Sequence, residues 1–208
     1  MIQAITKPVT FDEFVAWYPD GQGRYELHNG VIIEMFPTGD HEEVTGFLNL
    51  SLNVEINRLK LPYFVPRTYI VKSADWSSGY QPDVIVLDRE ALASDPLWKK
   101  SATISQGQSV KLAIEVVSTN WRDDYLTKLR DYEEIGIPEY WIVDFKGLGG
   151  TRYIGDPKRP TLSVYSLVDG EYRIKQFRED DRIESTAFPE LTLTAKQIFS
   201  AGSVVKSD

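Results

Sequence analysis

Apolar and polar residues along this chain recur with two periods, and their succession predicts an alternation of helices and strands. Thr10 followed by Glu13 has capping-box spacing, so "TFDEFVAWY" predicts a short first helix. "RYELHNGVIIEM" reads as two short strands about a turn at His28-Asn29-Gly30, because Asn-Gly favours tight hairpins. In "HEEVTGFLNLSLNVEINRL", Val44, Leu48, Leu52, Glu55 and Leu59 repeat at helical spacing, and Phe47 and Ile56 widen the stripe. Asp40 is the expected cap of that longer helix.

Tyr63 to Lys72 predicts one or two strands broken at Pro66, and "QPDVIVLD" a strand from Gln81 to Asp88. "REALASDPLWKKSATISQGQ" is polar and reads as loop with a partial helical turn. "VKLAIEVV" is nearly continuously apolar, as in a strand covered on both faces. Trp121 to Ile135 is helical, ended by Gly136 and Pro138, and "EYWIVD" is the next buried strand, with Tyr140 and Trp141 in the core. Trp121 is expected to pack at the start of its helix, with stacking on a base as its alternative. Strand, helix and strand in succession are the usual unit of a mixed or parallel sheet. "KGLGGTRYIGDPKRP" then reads as turn or loop, and "TLSVYSLVDGEYRIKQF" as a hairpin turning at Asp169-Gly170. The expected fold class is α/β (α+β): a mixed sheet flanked by helices in one domain over residues 1–208. Its core covers about 10–145 and a C-terminal hairpin extension about 146–195.

Composition narrows the classes. The 208 residues, 42% hydrophobic and 12% aromatic, suit one soluble globular domain. No apolar run approaches the ~20 residues that cross a bilayer, so no membrane partner is expected. "MIQAITKPVTFDEF" lacks a secretory leader pattern, and the absence of cysteine excludes disulfides and thiol chemistry; the cytoplasm is the expected location. A net charge of −8 weighs against strong nonspecific attraction to nucleic acid, although a local basic groove could survive within that average.

Candidate chemistry begins with the acids on strands. Glu115 lies among Ala113, Ile114, Val116 and Val117, where a charge needs a partner, and Asp83 opens "DVIVL". Two such carboxylates on neighbouring strands would repel each other unless they shared a cation. A hard ion such as Mg²⁺ or Mn²⁺ meets that need and serves phosphoryl chemistry. Taken alone, Asp83 is equally a turn residue, Glu115 has a salt bridge to Lys128 or to an arginine as its alternative, and Lys128 reads as a solvated helix lysine. "GLGG" at Gly147 to Gly150 lacks the spacing and the lysine of a phosphate loop and reads as a turn.

Together, Asp83 in "QPDVIVL", Glu115 in "AIEVV" and Lys128 on the following helix resemble the PD-(D/E)XK nuclease superfamily. Val117 stands where the usual motif has its lysine, so only Lys128 would restore the set. The whole chain, over about residues 10–195, is similar to the Uma2 family, a restriction endonuclease-like group formerly labelled a domain of unknown function (DUF820). The resemblance is carried by "RYELHNGVIIEM", "PTGDHEEV", "QPDVIVLD", "LAIEVVSTNWRDDYLTKLRDYEEIGIPEYWIVD" and "LSVYSLVDGEYRIKQF", in that order. It implies a Mg²⁺- or Mn²⁺-dependent endonuclease acting on nucleic acid, DNA foremost, with a homodimer as one arrangement. Asp83 and Glu115 would be metal ligands, with the Val116 carbonyl as a third. Glu26 would complete the acidic cluster or hold a second ion, Lys128 would orient the attacking water or stabilise phosphate charge, and His41 would touch the phosphate or act as acid or base.

Two other readings remain open at this level. The scaffold could serve as a catalytically inactive binding or regulatory module, which the acidic net charge favours, or as an enzyme on another phosphate-containing substrate.

Overall fold

A computed structural model describes residues 7–19 and 23–202. Part of the N-terminal leader reading falls on residues 1–6, outside the described residues. The strands are β1 (Arg24–His28), β2 (Val31–Met35), β3 (Tyr63–Phe64), β4 (Ile70–Lys72), β5 (Gly79–Tyr80), β6 (Val84–Asp88), β7 (Thr103–Ile104), β8 (Val110–Val116), β9 (Glu139–Asp144), β10 (Thr161–Val168) and β11 (Glu171–Phe177). The α-helices are α1 (Phe11–Trp17), α2 (Gly39–Leu59), α3 (Arg89–Leu92), α4 (Trp98–Ser101), α5 (Leu129–Glu134), α6 (Thr151–Ile154) and α7 (Ala195–Ala201). Among the described residues the strands form two sheets, ordered β2-β1-β5-β4-β7 and β11-β10-β9-β8-β6-β3. Both are mixed: β4 with β7 and β8 with β9 run parallel, and the other pairs are antiparallel.

The alternation of side chains along β8 sorts them between two cores. Leu112, Ile114 and Val116 pack with Val44, Leu48 and Leu52 of α2 and Ile198 of α7. Ala113 and Val117 face the other way, into a tyrosine-rich layer with Tyr69, Tyr80, Tyr132 and Tyr140. Glu115 shares that second face. A third, small core of Phe11, Phe14, Leu27 and Ile70 attaches α1 to the outer side of the first sheet. Each fully buried Leu, Ile or Val contributes ~1.5–3 kcal/mol relative to exposure, so the two faces of the second sheet anchor the whole arrangement.

Local signals explain most elements. Thr10 and Glu13 form the reciprocal capping box of α1. Asn29 and Gly30, at φ of 48° and 79°, make the tight turn that pairs β1 with β2. The C-terminal hairpin turns at Asp169-Gly170 and pairs through β10 onto β9, extending the second sheet. Three expectations need correction. Thr38, not Asp40, caps α2, its hydroxyl accepting from the His41 N–H at 3.4 Å. The strand expected from Gln81 begins at Val84, because Gln81 to Asp83 form the link that carries the chain from the first sheet to the second. The helix that begins at Trp121 is not uniform: Asp123–Lys128 is a π-helical stretch, wider than an α-helical turn, that continues into α5.

Candidate active site

The site lies where the chain passes between the sheets. β1 points Arg24, Glu26 and His28 to one face, as a period of two requires, while Leu27 goes to the core beneath α1. The antiparallel register of β6 and β8, with Val84 opposite Ile114, brings Asp83 across from Glu115. The π-helical stretch carries Asp124 and Lys128 into the same space. Arg24, Glu26, His41, Asp83, Glu115 and Lys128 all line one cleft of about 310 Å³, together with Val116, Asp123 and Asp124.

Two ion networks organise this cleft. In the first, Lys128 Nζ lies 3.0 Å from Glu26 Oε1, 3.0 Å from Glu115 Oε1 and 3.9 Å from Asp124 Oδ1. Lys128, Glu26 and Glu115 are almost wholly buried. Glu26 also accepts from the Gln81 N–H at 2.9 Å and pairs with His28 Nε2 at 2.8 Å; Glu115 accepts from the Tyr132 hydroxyl at 3.0 Å. In the second network, Asp83 Oδ1 faces Arg24 Nη1 at 3.1 Å. Its Oδ2 takes the Val116 N–H at 2.8 Å and His41 Nε2 at 3.0 Å. Arg24 is held in turn by the Gln81 carbonyl at 2.7 Å.

The two glutamates that share this lysine shift in opposite directions. Burial pushes Glu26 up, but Lys128, His28 and the Gln81 N–H outweigh it and hold Glu26 below the ordinary carboxylate range. Glu115 is raised well above that range: burial dominates, and Asp83, Asp124 and Glu26 add repulsion that Lys128 does not cancel. Asp124 is pushed up to about 8, by burial first and then by Asp83, Glu26 and Asp123 against Lys128. Burial also opposes ionisation of Asp83, yet His41, Arg24 and Lys128 bring it down to about 2. For His41, burial favours the neutral ring, but Asp83 and Glu42 prevail and raise its pKa. Lys128 itself is raised well above its ordinary value, its four acidic neighbours overcoming burial.

Glu26, Asp83, Glu115 and Asp124 therefore share two permanent cations, Arg24 and Lys128, and burial together with repulsion among the acids raises Glu115 and Asp124. That chemistry suits a hard divalent cation, which takes one or two carboxylates and keeps several waters. Among the described residues no three His, Cys, Asp or Glu side chains already converge on a metal position. Lys128 stands between Glu26 and Glu115. The salt bridge to Lys128 weighed for Glu115 in the sequence is thus present, and the Lys128 alternative of a solvated side chain is not. At Asp83 it is the Val116 N–H that makes contact.

Sequence reasoning missed Arg24, His28, Tyr132 and the depth of Asp124. Arg24 and His28 were available from alternation in "RYELH", which places both on the face of Glu26. Tyr132 follows Lys128 by one turn, yet its hydroxyl contact depends on how α5 meets β8, which spacing does not specify. Trp121 packs on Tyr125 and Tyr153, in agreement with a packing role. The "GLGG" segment closes on the chain itself: the Leu148 and Gly149 N–H groups donate to Asp144 at 2.8 and 2.7 Å.

No curated protein matches the chain. Among solved structures, one described as a putative nuclease belonging to DUF820 from Anabaena variabilis ATCC 29413 superimposes with a TM-score of 0.69. It is 19% identical and the match covers 94% of this chain and 99% of that one, a similarity of fold. Residues 11–196 match the Uma2 family, described as "Putative restriction endonuclease", and the chain belongs to that family.

Proposed function

We propose that the protein is a metal-dependent nuclease that hydrolyses phosphodiester bonds of nucleic acid. The observation that carries this reading is the convergence of Glu26, Asp83, Glu115 and Lys128, from both sheets and one helix, on a single cleft whose carboxylates outnumber Arg24 and Lys128. Asp83 and Glu115 would hold Mg²⁺ or Mn²⁺, with the Val116 carbonyl as a further oxygen and Glu26 completing the acidic cluster. When bound, the ion supplies a lowered pKa for water and charge neutralisation at phosphate oxygens.

The chain's own residues do the rest. Glu26, fixed by the Gln81 N–H, positions the Lys128 ammonium. Lys128 offers fixed positive charge to the phosphate as negative charge develops on its oxygens. His41, whose pKa is raised by its contact with Asp83, would give a proton to the departing oxygen as the P–O bond breaks and water bonds to the phosphorus. Because the site draws on both sheets, residues 1–208 are best treated as one domain. On this reading DNA is the first substrate to test, in the cytoplasm, and sedimentation would establish whether the working form is a homodimer.

The test is Mg²⁺- or Mn²⁺-dependent cleavage of DNA and RNA, lost in Asp83→Ala, Glu115→Ala and Lys128→Ala. A wild-type protein that cuts neither polymer with either ion would sink the proposal. One observation favours a second reading, a binding module on the nuclease scaffold: Asp83 is already satisfied by Arg24, His41 and the Val116 N–H. A Mn²⁺ titration that leaves the melting temperature unmoved would support that module.

A further inference from the structure

The active-site cleft is not isolated. A second cleft of about 800 Å³ runs from it along α2 and the segment before β4, and the two share Arg24, Gln81 and Asp83 in their walls. The arginine and lysine side chains along this track are Arg24, Arg67 and Lys128, and the first and last are ion-paired within the protein. Arg67 is exposed and has no ion pair among the described residues. Duplex DNA presents one charge per ~1.7 Å, and proteins that hold it do so largely by neutralising phosphates. With one unpaired arginine along the track, on a chain of net charge −8, phosphate neutralisation alone supplies little affinity for any nucleic acid.

The other end of the track offers a different kind of contact. Phe36 lies in the wall of the smaller cleft and is 80% exposed, the most exposed large hydrophobic residue described. It sits between the end of β2 and the Thr38 cap of α2. Pro37 follows it and confines its backbone to extended conformations. The ring projects into water from the wall of the cleft. Proteins that bind bases without pairing partners stack them on exposed aromatic side chains beside the groove that follows the backbone. Asn49 and Asn53 in the larger cleft add amide groups that need no phosphate charge.

We propose that the substrate is an unpaired strand of nucleic acid, threaded along the two clefts that meet at Arg24, Gln81 and Asp83, with one base stacked on Phe36. This rests on the nuclease reading and specifies its substrate class. Stacking of one base contributes ~1–3 kcal/mol, so Phe36→Ala should weaken single-strand binding by roughly 5- to 150-fold.

The experiment is fluorescence anisotropy without divalent ions, using a labelled single-stranded DNA, the same sequence as RNA, and the corresponding DNA duplex, alongside Mn²⁺-supported cleavage of each. The single strands should bind at least ~10-fold tighter than the duplex, with the DNA and RNA arms separating the two sources. Phe36→Ala should lose affinity, Phe36→Trp should retain it, and an abasic site at one position should abolish the difference between wild type and Phe36→Ala. Melting curves check that both variants fold. Equal or tighter duplex binding, or a Phe36→Ala protein with unchanged affinity, overturns the inference while leaving the nuclease reading intact if cleavage persists. Absence of both binding and cleavage in the wild type overturns the nuclease reading itself.

Discussion

Lys128 Nζ stands 3.0 Å from Glu115 Oε1, so the acid buried within a largely apolar strand is met by an ammonium from the following helix. Removing either partner has unequal consequences. Lys128→Met leaves Glu26 and Glu115 buried without their cation and should destabilise the fold by ~3–5 kcal/mol. Urea denaturation measures this directly, and a loss below ~1 kcal/mol would show that the buried pairs are not formed.

Glu115→Gln should behave in the opposite sense. The native pKa of Glu115 is raised, so the folded state favours its proton, and its ionised form is a burden at neutral pH. The neutral amide removes repulsion from Asp83 and Asp124 while Lys128 keeps Glu26. We expect unchanged or higher stability together with loss of metal-dependent cleavage. The same two assays decide it; a strongly destabilised variant would contradict the charge arrangement described above.

Arg24→Lys tests the second network. The guanidinium reaches Asp83 and the Gln81 carbonyl at once, a fork that an ammonium does not reproduce. Cleavage should fall by ~10- to 1,000-fold, the range for losing one fixed electrostatic contact at a reaction centre, with the circular dichroism spectrum unchanged. A variant as active as wild type would place Arg24 outside the chemistry.

Lys72 gives a pH dependence far from the proposed chemistry. Its amine is buried without a hydrogen-bond partner, against the rings of Phe11 and Trp76. Burial is the main cause that lowers it from 10.5 to about 8, against Asp12 and Asp95. Between those two values the unfolded chain binds the proton and the folded one does not, so stability should rise with pH across that window. Below about 8 both states are protonated and the full burden is present. Lys72→Met should raise the urea midpoint near neutral pH and flatten the rise above it.

Much of this was legible in the sequence because it rests on local rules. The Thr10–Glu13 box, the Asn29-Gly30 and Asp169-Gly170 turns, and the nearly continuous apolar run of β8 each depend on neighbours a few residues away. The misfit of Glu115 was visible for the same reason, since a charge breaks an apolar run wherever that run folds. What was hidden depends on tertiary placement. Strands β5 and β7, two residues each, exist through pairing with β4 rather than through any period of their own. The reach of Arg24 to Asp83 and of Tyr132 to Glu115 follows from how the sheets and α5 meet, and no spacing in the chain encodes it.

The π-helical stretch Asp123–Lys128 bears on how this site could change over evolutionary time. A residue on a strand keeps its face unless the strand slips by one position, which would overturn every side chain in the sheet. A residue on a helix turns by about 100° for each position inserted or deleted before it. With the lysine on the helix and Val117 just past the end of β8, a single-residue insertion or deletion between Val117 and Lys128 would turn the cation away from the acids. The strand positions of Glu26 and Glu115 would be unaffected, while Tyr125 and Tyr132, on the same helical segment, would turn with the lysine.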